Sequence, residues 1–475
     1  MSRRRRLAVL SVCLTAAGCV TGHHIEPPAL LVTATDAQTP ASLHHWWERF
    51  ENPELNAYVD RALRHNRQIE AARATVREAS ASRRVARSAF LPTVNAEGGY
   101  SWQDQSINSP AGAGPLIGAG IVDRDIEFWS ASLDGRWDLD LFGGTRRLND
   151  AARARVEQSI AARDAIALGV VAETVSAFFE LRGAAARHVL VTRNIELQAA
   201  TLEIIEKRVA IGLSRSLDAL RARGQLEAAR SALPALDAAV KAAAYRLGVL
   251  TNEPAETLVA PAQAGGTDAT LPGMPATLPE LIDAGFLRQR PDVAAAERNL
   301  VVLIAELGVA KAQFYPQLWV GASLGLESAS LSDLASGDSR IFGLAPRLSL
   351  PVFQGGRLRA QRDAALARAD KAYADLELVL LAGLADAHTA MALVQGESDA
   401  LRHVTAAAQI STQSQVIARG LYERGLGDFL SLLDAQREQL RAQDAQVQSA
   451  TRLRLQLVRL YTALGGDAGN LLETG

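Results

Sequence analysis

The feature of this 475-residue chain that most limits its fold is an internal duplication. Three short motifs recur in the second half: ARSAFLP (86–92) as AKAQFYP (310–316), LDLFGGTR (139–146) as LPVFQGGR (350–357), and IGLS (211–214) as RGLG (424–427). Their offsets of 224, 211 and 213 residues preserve one order along the chain. The half at 66–250 therefore reappears at 290–464, and the fold must contain one supersecondary unit built twice.

Each half contains two segments in which apolar and polar side chains alternate. The predicted strands are 93–103, 128–141, 317–327 and 342–352. Alternation over about ten residues is the pattern of a tilted membrane-spanning strand. A soluble antiparallel sheet with one wet face alternates in the same way, so both interpretations are open. Pro346 in the fourth segment requires a bulge or a sheet edge.

Aromatic residues in these segments favour the membrane interpretation. Tyr100, Trp102, Trp129 and Trp137 fall on the apolar positions, where interfacial girdles of membrane barrels carry such rings. Trp319 falls on a polar position and gives no support.

Long stretches without proline predict unusually long helices. The sequence has no proline between Pro115 and Pro234 or after Pro351, and its Ala/Leu-rich composition there favours helix. At 1.5 Å per residue, each first arm would be on the order of 100 Å long. We predict a helical hairpin over 145–250 and another over 357–464, each attached to two strands.

Four strands cannot close a barrel. Open sheet edges in hydrocarbon leave unpaired N–H and C=O groups that cost several kcal/mol each. Two chains would give eight strands around a filled interior, whereas three would give twelve around an aqueous lumen. The predicted fold class is therefore mainly α with a transmembrane β-barrel. It is a duplicated helix–strand–strand–helix–helix chain that forms a trimeric 12-stranded barrel, continued by a periplasmic α-helical barrel.

The N-terminus has the pattern of an export signal. Four arginines (3–6) precede an apolar run (7–17) that, at about eleven residues, is too short to span a membrane. The small residues before Cys19 resemble the bacterial lipoprotein signal, although Ala16 stands where Leu is usual. We expect lipidation at Cys19 and a lipid-anchored protein of the outer membrane that extends into the periplasm; a plain cleaved leader is the alternative. Because no uninterrupted run of 18 apolar residues occurs, a transmembrane helix is excluded at this stage.

Charge and motif content exclude several functions. The 50 basic and 52 acidic residues are interleaved and give a net charge of -2, so nucleic-acid binding is not expected. Gly143-Gly144 lacks the Lys-Ser/Thr of a phosphate loop. The sequence contains no HExxH. We predict no enzyme, catalytic residue, metal site or cofactor, and the energy for any transport must come from a partner.

The segment 422–437 (YERGLGDFLSLLDAQR), the Phe-x-Pro that opens a strand, and the duplicated order resemble the outer membrane efflux factor family. The similarity covers about 40–470 and is strongest to the NodT-type lipoproteins among the TolC/OprM-like channels. It implies a homotrimeric conduit that works with a periplasmic membrane-fusion (adaptor) protein and an inner-membrane RND transporter. The exported substrates would be drugs or other small toxic molecules.

The same resemblance assigns residues to a periplasmic aperture. Asp434 matches the acidic position whose ring narrows the entrance, and Leu430 matches the apolar ring one turn away. Residues i and i+4 share a helix face, so the spacing suits this role. From the residues alone, a solvated helix residue is the favoured interpretation of Asp434, and the family resemblance reverses that preference. Ser431 stands where certain family members carry a second acid, so the aperture is expected to be less charged here.

Two glycine-containing triplets match the hairpin tips that meet the adaptor in this family. Glycine is needed there in any case, because it permits the reversal between two helices. The predicted adaptor-contacting residues are Gly212, Leu213, Ser214, Gly425, Leu426 and Gly427.

The interpretation divides the chain into successive segments: signal peptide 1–18, lipid-anchored and equatorial segment 19–65, first repeat 66–250, equatorial linker 251–289, second repeat 290–464 and tail 465–475. Two alternatives are kept. The protein could be the outer-membrane duct of a type I protein secretion system with an ABC-type exporter, or a non-channel periplasmic helical scaffold lipoprotein.

Overall fold

A computed structural model describes residues 43, 45–107, 114–121, 123–254, 256–263, 271–275, 284–466 and 471–472. These residues fall into two compact units. The sheet unit contains the described parts of Arg77–Glu157 and Arg298–Ala374. The helical unit contains the described parts of Glu26–Val76, Gln158–Glu297 and Asp375–Gly475.

The order of elements is the predicted helix–strand–strand–helix–helix plan, present twice. The helices of the described residues are α1 (Pro53–His65), α2 (Arg67–Ser88), α3 (Gly114–Gly118), α4 (Gly144–Ala210), α5 (Ser216–Arg230), α6 (Leu233–Thr251), α7 (Glu256–Gln263), α8 (Pro291–Ala312), α9 (Arg357–Glu423) and α10 (Phe429–Ala463). The strands are β1 (Thr93–Asp104), β2 (Asp125–Leu139), β3 (Gln317–Ser328) and β4 (Arg340–Ser349). Short 3-10 helices cover Trp46–Phe50, Ala284–Gln289 and Gly337–Ser339.

The four strands form one antiparallel sheet in the order β1-β2-β3-β4. The two repeats are joined in the sheet by β2 and β3, which pair from Trp129 with Ser328 to Leu139 with Leu318. Pro346 lies in β4, an edge strand, which is where a sheet tolerates a residue without a backbone N–H. Among the described residues of one chain, β1 and β4 each keep an open edge.

Equivalent turns lead from helix to strand in the two repeats. The Leu91 N–H donates to the Ser88 carbonyl at 2.9 Å after α2, and the Tyr315 N–H donates to the Ala312 carbonyl at 3.1 Å after α8. In both repeats the next residue is a proline, which cannot continue the helix and begins the extended segment.

The long helices reach the predicted length. α4 and α9 contain 67 residues each, on the order of 100 Å of helix. The return arm of the first repeat is split into α5 and α6 because Pro234 lacks the N–H that a continuous helix requires. Its counterpart in the second repeat, α10, runs unbroken for 35 residues.

One sequence-based exclusion was too strong. Among the described helices, α9 has an 18-residue window of mean hydropathy 1.5 and is long and apolar enough to cross a membrane by length and composition. The exclusion rested on uninterrupted apolar runs, whereas a window can be apolar on average and still contain polar residues. Core helices of soluble proteins reach the same mean hydropathy, so the window alone assigns no membrane span.

Aromatic packing builds the core of the helical unit around its N-terminal segment. Trp46 is fully buried and stacks on Tyr461 with ring centroids 5.0 Å apart. Phe50 meets Phe179 edge-on at 4.8 Å, and Phe178 is also fully buried. Burying such rings contributes most of the stabilisation per residue in a core. The segment before α1 is thereby fixed against α4 and α10.

Candidate functional site

The two hairpin turns have the same backbone geometry. After α4, the Gly212 N–H donates to the Val209 carbonyl and the Leu213 N–H to the Arg208 carbonyl, at 3.0 and 2.8 Å. After α9, Gly425 and Leu426 make the equivalent bonds at 3.0 and 2.9 Å. Gly212 and Gly425 have φ of 77° and 74°, in the left-handed region where a Cβ is disfavoured. Both are Schellman turns, which confirms the predicted glycine reversal.

Leucine side chains project from both turns. Leu213 is 66% exposed and Leu426 is 74% exposed, and Ile211 beside the first turn is also exposed. Ser214 and Gly427 are partly covered. Exposed leucines at a chain reversal contribute nothing to the core of their own chain, so these positions are available for a partner.

The helices after the two turns are capped differently. Asp428 accepts a 2.6 Å hydrogen bond from the Ser431 N–H at the start of α10. This bond to the backbone N–H lowers the pKa of the exposed Asp428 carboxyl. Arg215 holds the same position before α5 and makes no side-chain cap. The second turn is therefore fixed more firmly than the first.

An apolar cluster anchors both turns. Its buried members come from α4, α5, α9 and α10 and are Ile205, Ala222, Tyr422, Phe429, Leu432 and Leu433. The Arg208 guanidinium lies over the Tyr422 ring at 4.9 Å and donates to the Tyr422 carbonyl at 3.2 Å. The cluster thereby joins both arms of the first hairpin to both arms of the second.

The aperture candidates Leu430 and Asp434 lie on the outer face of α10. Leu432 is buried on the opposite face, which turns Leu430, at 47% exposure, and the exposed Asp434 away from the core. Among the described residues, Asp434 makes no ion pair and no side-chain hydrogen bond. Arg437, one turn further, instead donates to Gln225 of α5 at 2.7 Å. The Asp434 carboxylate is therefore exposed to solvent in the single chain.

The sheet has one apolar face that the described residues leave uncovered. Its exposed side chains include Val94, Tyr100, Trp102, Leu133, Trp137, Leu324, Phe342, Leu344 and Leu348. Tyr100 and Trp129 pair across β1 and β2 with ring centroids 4.3 Å apart. Trp137 lies eight residues further along β2, about 26 Å at 3.3 Å per residue. Two aromatic levels therefore flank an apolar band.

The other face of the sheet is polar. Asn95, Glu97, Asp134 and Ser323 lie on it, together with Trp319, which the alternation had placed among polar residues. Arg136 of β2 and Arg347 of β4 lie over the Trp319 ring. The combination of one apolar and one polar face is the arrangement of a membrane barrel wall.

The lipidation site and possible metal ligands are separate from the turns, the aperture residues and the sheet. Cys19, the predicted lipidation site, lies outside the described residues. Within the part of the chain that the structure describes, no group of three or more His, Cys, Asp or Glu side chains could hold a metal ion.

Sequence reasoning missed two features of the site. The Asp428 cap was readable as an Asp that stands directly before the apolar run at the start of α10. The cluster of Trp319, Arg136 and Arg347 had only one sign in the sequence, a tryptophan on the polar positions of a strand. Its arginines come from other strands, so their approach depends on strand register.

The chain belongs to the outer membrane efflux protein family, which it matches over residues 58–253 and 285–466. It is 31% identical to outer membrane protein OprJ of Pseudomonas aeruginosa, over 98% of this chain and 97% of OprJ. It is 25% identical to nodulation protein T of Rhizobium leguminosarum bv. trifolii, over 89% of each chain. The solved outer-membrane channel OprN is 30% identical and superposes with a TM-score of 0.82, over 95% of this chain and all of OprN.

The predicted family and the predicted channel fold of the single chain are thereby confirmed, and closure of a barrel by three chains stays a prediction. The relatives are outer-membrane efflux channels of a non-enzymatic transport family, so the protein is an outer-membrane efflux duct and not an enzyme.

Proposed function

We propose that the protein is the outer-membrane component of a tripartite efflux system, a passive homotrimeric duct for drugs or other small toxic molecules. An inner-membrane RND transporter would supply the energy, and a periplasmic adaptor would join the two. The observation that carries the proposal is the four-stranded sheet with an exposed apolar face and two open edges.

The sheet supports a trimer through its unpaired edges. In lipid, the free N–H and C=O groups of β1 and β4 would each cost several kcal/mol, and pairing β4 of one copy with β1 of the next removes that cost. Three copies give twelve strands, enough for a water-filled lumen. The aromatic levels at Trp129 and Trp137 lie about 26 Å apart along the strand. At a strand tilt of about 35–45° this is about 18–21 Å of height, which lies within the roughly 25 Å apolar band of such barrels.

The aperture is assigned to Leu430 and Asp434. Both side chains point away from the core of their own chain, and Asp434 has no partner among the described residues. In a trimer, three Asp434 carboxylates near the axis would repel one another and attract cations, which makes a selective constriction.

Adaptor contact is assigned to the two hairpin turns. The exposed Leu213 and Leu426 offer apolar contacts on a backbone fixed by Gly212 and Gly425. Ser214 and Gly427 complete the two surfaces. The Cys19 anchor would hold the protein to the membrane through acyl chains, each buried CH₂ contributing about 0.8 kcal/mol.

The test is reconstitution of the purified full-length protein. We expect oligomers that resist heating in detergent and discrete ion conductance in planar bilayers. A monodisperse monomer without conductance would instead support the periplasmic scaffold. Cross-linking in cells then separates two export pathways: capture of an adaptor with an RND transporter supports efflux, and capture of an adaptor with an ABC-type exporter supports type I protein secretion.

A further inference from the structure

Two guanidinium groups share one indole on the polar face of the sheet. The Arg136 Cζ lies 4.6 Å from the centroid of the Trp319 ring, and the Arg347 Cζ lies 5.1 Å from it. Cation–π contacts of this kind are attractive at exposed sites and become stronger when water is excluded from the ring. Trp319 is half-buried, so the ring is a fixed platform and not a loose surface group.

Strand register builds the cluster. Trp319 pairs with Asp138 on β2 and with Arg347 on β4, and Gly321 pairs with Arg136. A Cβ at Gly321 would come within 3.1 Å of the Trp319 Cζ3 atom. The missing side chain at Gly321 therefore leaves the space into which the indole folds, between the two arginines.

The two arginines differ in how their charge is balanced. Arg136 donates to Asp138 through Nη2 and Nε, at 3.0 and 3.4 Å, and is largely neutralised. Arg347 is exposed and has no carboxylate partner among the described residues. A cation–π contact consumes no N–H donor, so Arg347 retains all its donors for another ligand.

Apart from Asp138, the acidic residues of the polar face lie away from Arg347, so its positive charge is local. Glu97, Asp134 and Glu327 lie at other levels of the sheet, further from the end that holds Trp319. The polar face thus carries its arginines at one level and its unpaired acids at others. An anion moving along it would meet its main favourable contact at Arg347.

We propose that Arg347, held on Trp319, is an anion-contacting residue inside the duct, which takes inorganic anions or solutes bearing a carboxylate, phosphate or sulfonate group. The inference rests on the proposed function, because it requires the polar face to line the lumen. Three copies would form a cationic ring at one end of the barrel, separate from the Asp434 ring.

Ion selectivity of the purified full-length trimer in planar bilayers tests this, with chloride as the anion. The reversal potential under a KCl gradient gives the permeability of chloride relative to potassium. At 0.1 M salt, where screening acts over about 10 Å, we expect Arg347→Gln to lower the ratio by about twofold. At 1 M salt, where that length is about 3 Å, the difference should largely vanish.

Matched variants separate charge from structure. Arg347→Lys keeps the charge and should retain the wild-type ratio. Arg340→Gln removes the same charge from β4, about 23 Å along the strand, and should leave the ratio unchanged. Trp319→Leu removes the platform but keeps both arginines and should lower the ratio partially.

The outcomes are distinct. Channels of Arg347→Gln with a wild-type ratio at 0.1 M overturn the anion site and leave the duct intact. If Arg347→Gln forms no channels, the test passes to Trp319→Leu. A wild-type permeability ratio in that variant overturns the anion site in the same way. A wild-type protein that forms no channel overturns both this site and the proposed function.

Discussion

Gly212 and Gly425 occupy equivalent positions in the two repeats, and each ends a long helix with a positive φ and the same pair of backbone hydrogen bonds. The duplication is therefore preserved at the level of single bonds at both turns. The repeats have nonetheless diverged at the start of the next helix, since only α10 is capped there by a carboxylate.

The positive φ of Gly425 predicts a cost for any side chain there. Gly425→Ala should destabilise the protein by about 1 to 2 kcal/mol, because an L-residue is strained in the left-handed region. Gly396→Ala is the matched control within α9, where a Cβ meets no atom within 4 Å, and should be neutral or stabilising by up to about 1 kcal/mol. Thermal unfolding in detergent measures both; equal midpoints for the two variants would contradict the turn assignment.

Removing the aperture charge should change conduction. We expect Asp434→Ala to raise single-channel conductance or weaken cation preference, because three mutually repelling carboxylates are lost. Asp434→Asn keeps the side-chain volume and removes only the charge, so it shows the effect of charge alone. Glu227→Gln, which removes a carboxylate paired with Arg230 on α5, is the control. If Asp434→Ala alters neither property, Asp434 has no role in the aperture.

The Asp428 cap predicts a pH dependence with a defined sign. Because hydrogen bonding lowers the pKa of Asp428 in the folded state, its contribution is present above the ordinary Asp pKa of about 3.9 and is lost as pH falls through the lowered value. Asp428→Ala should thus have a lower unfolding midpoint than wild type at neutral pH. The gap should narrow only below about pH 4. Asp428→Asn still caps the helix without a charge, so its midpoint should stay above that of Asp428→Ala at every pH. If the midpoints of wild type and Asp428→Ala converge already above about pH 5, the cap is not the source of their difference.

Arg454 connects α10 to the segment 271–275, and we expect this connection to stabilise the fold. Its guanidinium is buried, with burial lowering its pKa to about 10, and it donates to the carbonyls of Pro272 and Ala450. Arg454→Met should cost about 2 to 4 kcal/mol, since two carbonyls lose a charged donor. Limited proteolysis should then cut near Pro272. Arg459→Met, at an exposed position of the same helix, should leave both properties unchanged.

Lipidation at Cys19 predicts a defined mass change. The mature wild-type protein should begin at Cys19 and carry acyl chains, whereas Cys19→Ser should lack them and partition less firmly into membranes. Cys13→Ser should retain the lipid. Intact-mass spectrometry of the three purified proteins decides the matter, and a wild-type mass without acyl groups would leave only a cleaved leader.

Properties that repeat along the chain were readable from the sequence. The duplication, the alternation from Thr93 onwards and the glycine turns are local or periodic patterns, and each became the element it predicted. The apolar face of the sheet was predictable because side chains on a strand alternate with a fixed period of two. Asp434 could be placed on a face with Leu430 because helical spacing is equally fixed.

Contacts between distant segments required the tertiary structure. Trp319 meets Arg136 and Arg347 only in the register that the sheet adopts, and a slip of one residue would turn the ring to the other face. Arg454 reaches the Pro272 carbonyl across 182 positions of sequence, a pairing that no local period encodes. Local periodicity determined which elements form and which face of each is apolar, whereas register and helix rotation, set by packing of the whole chain, decided which side chains meet.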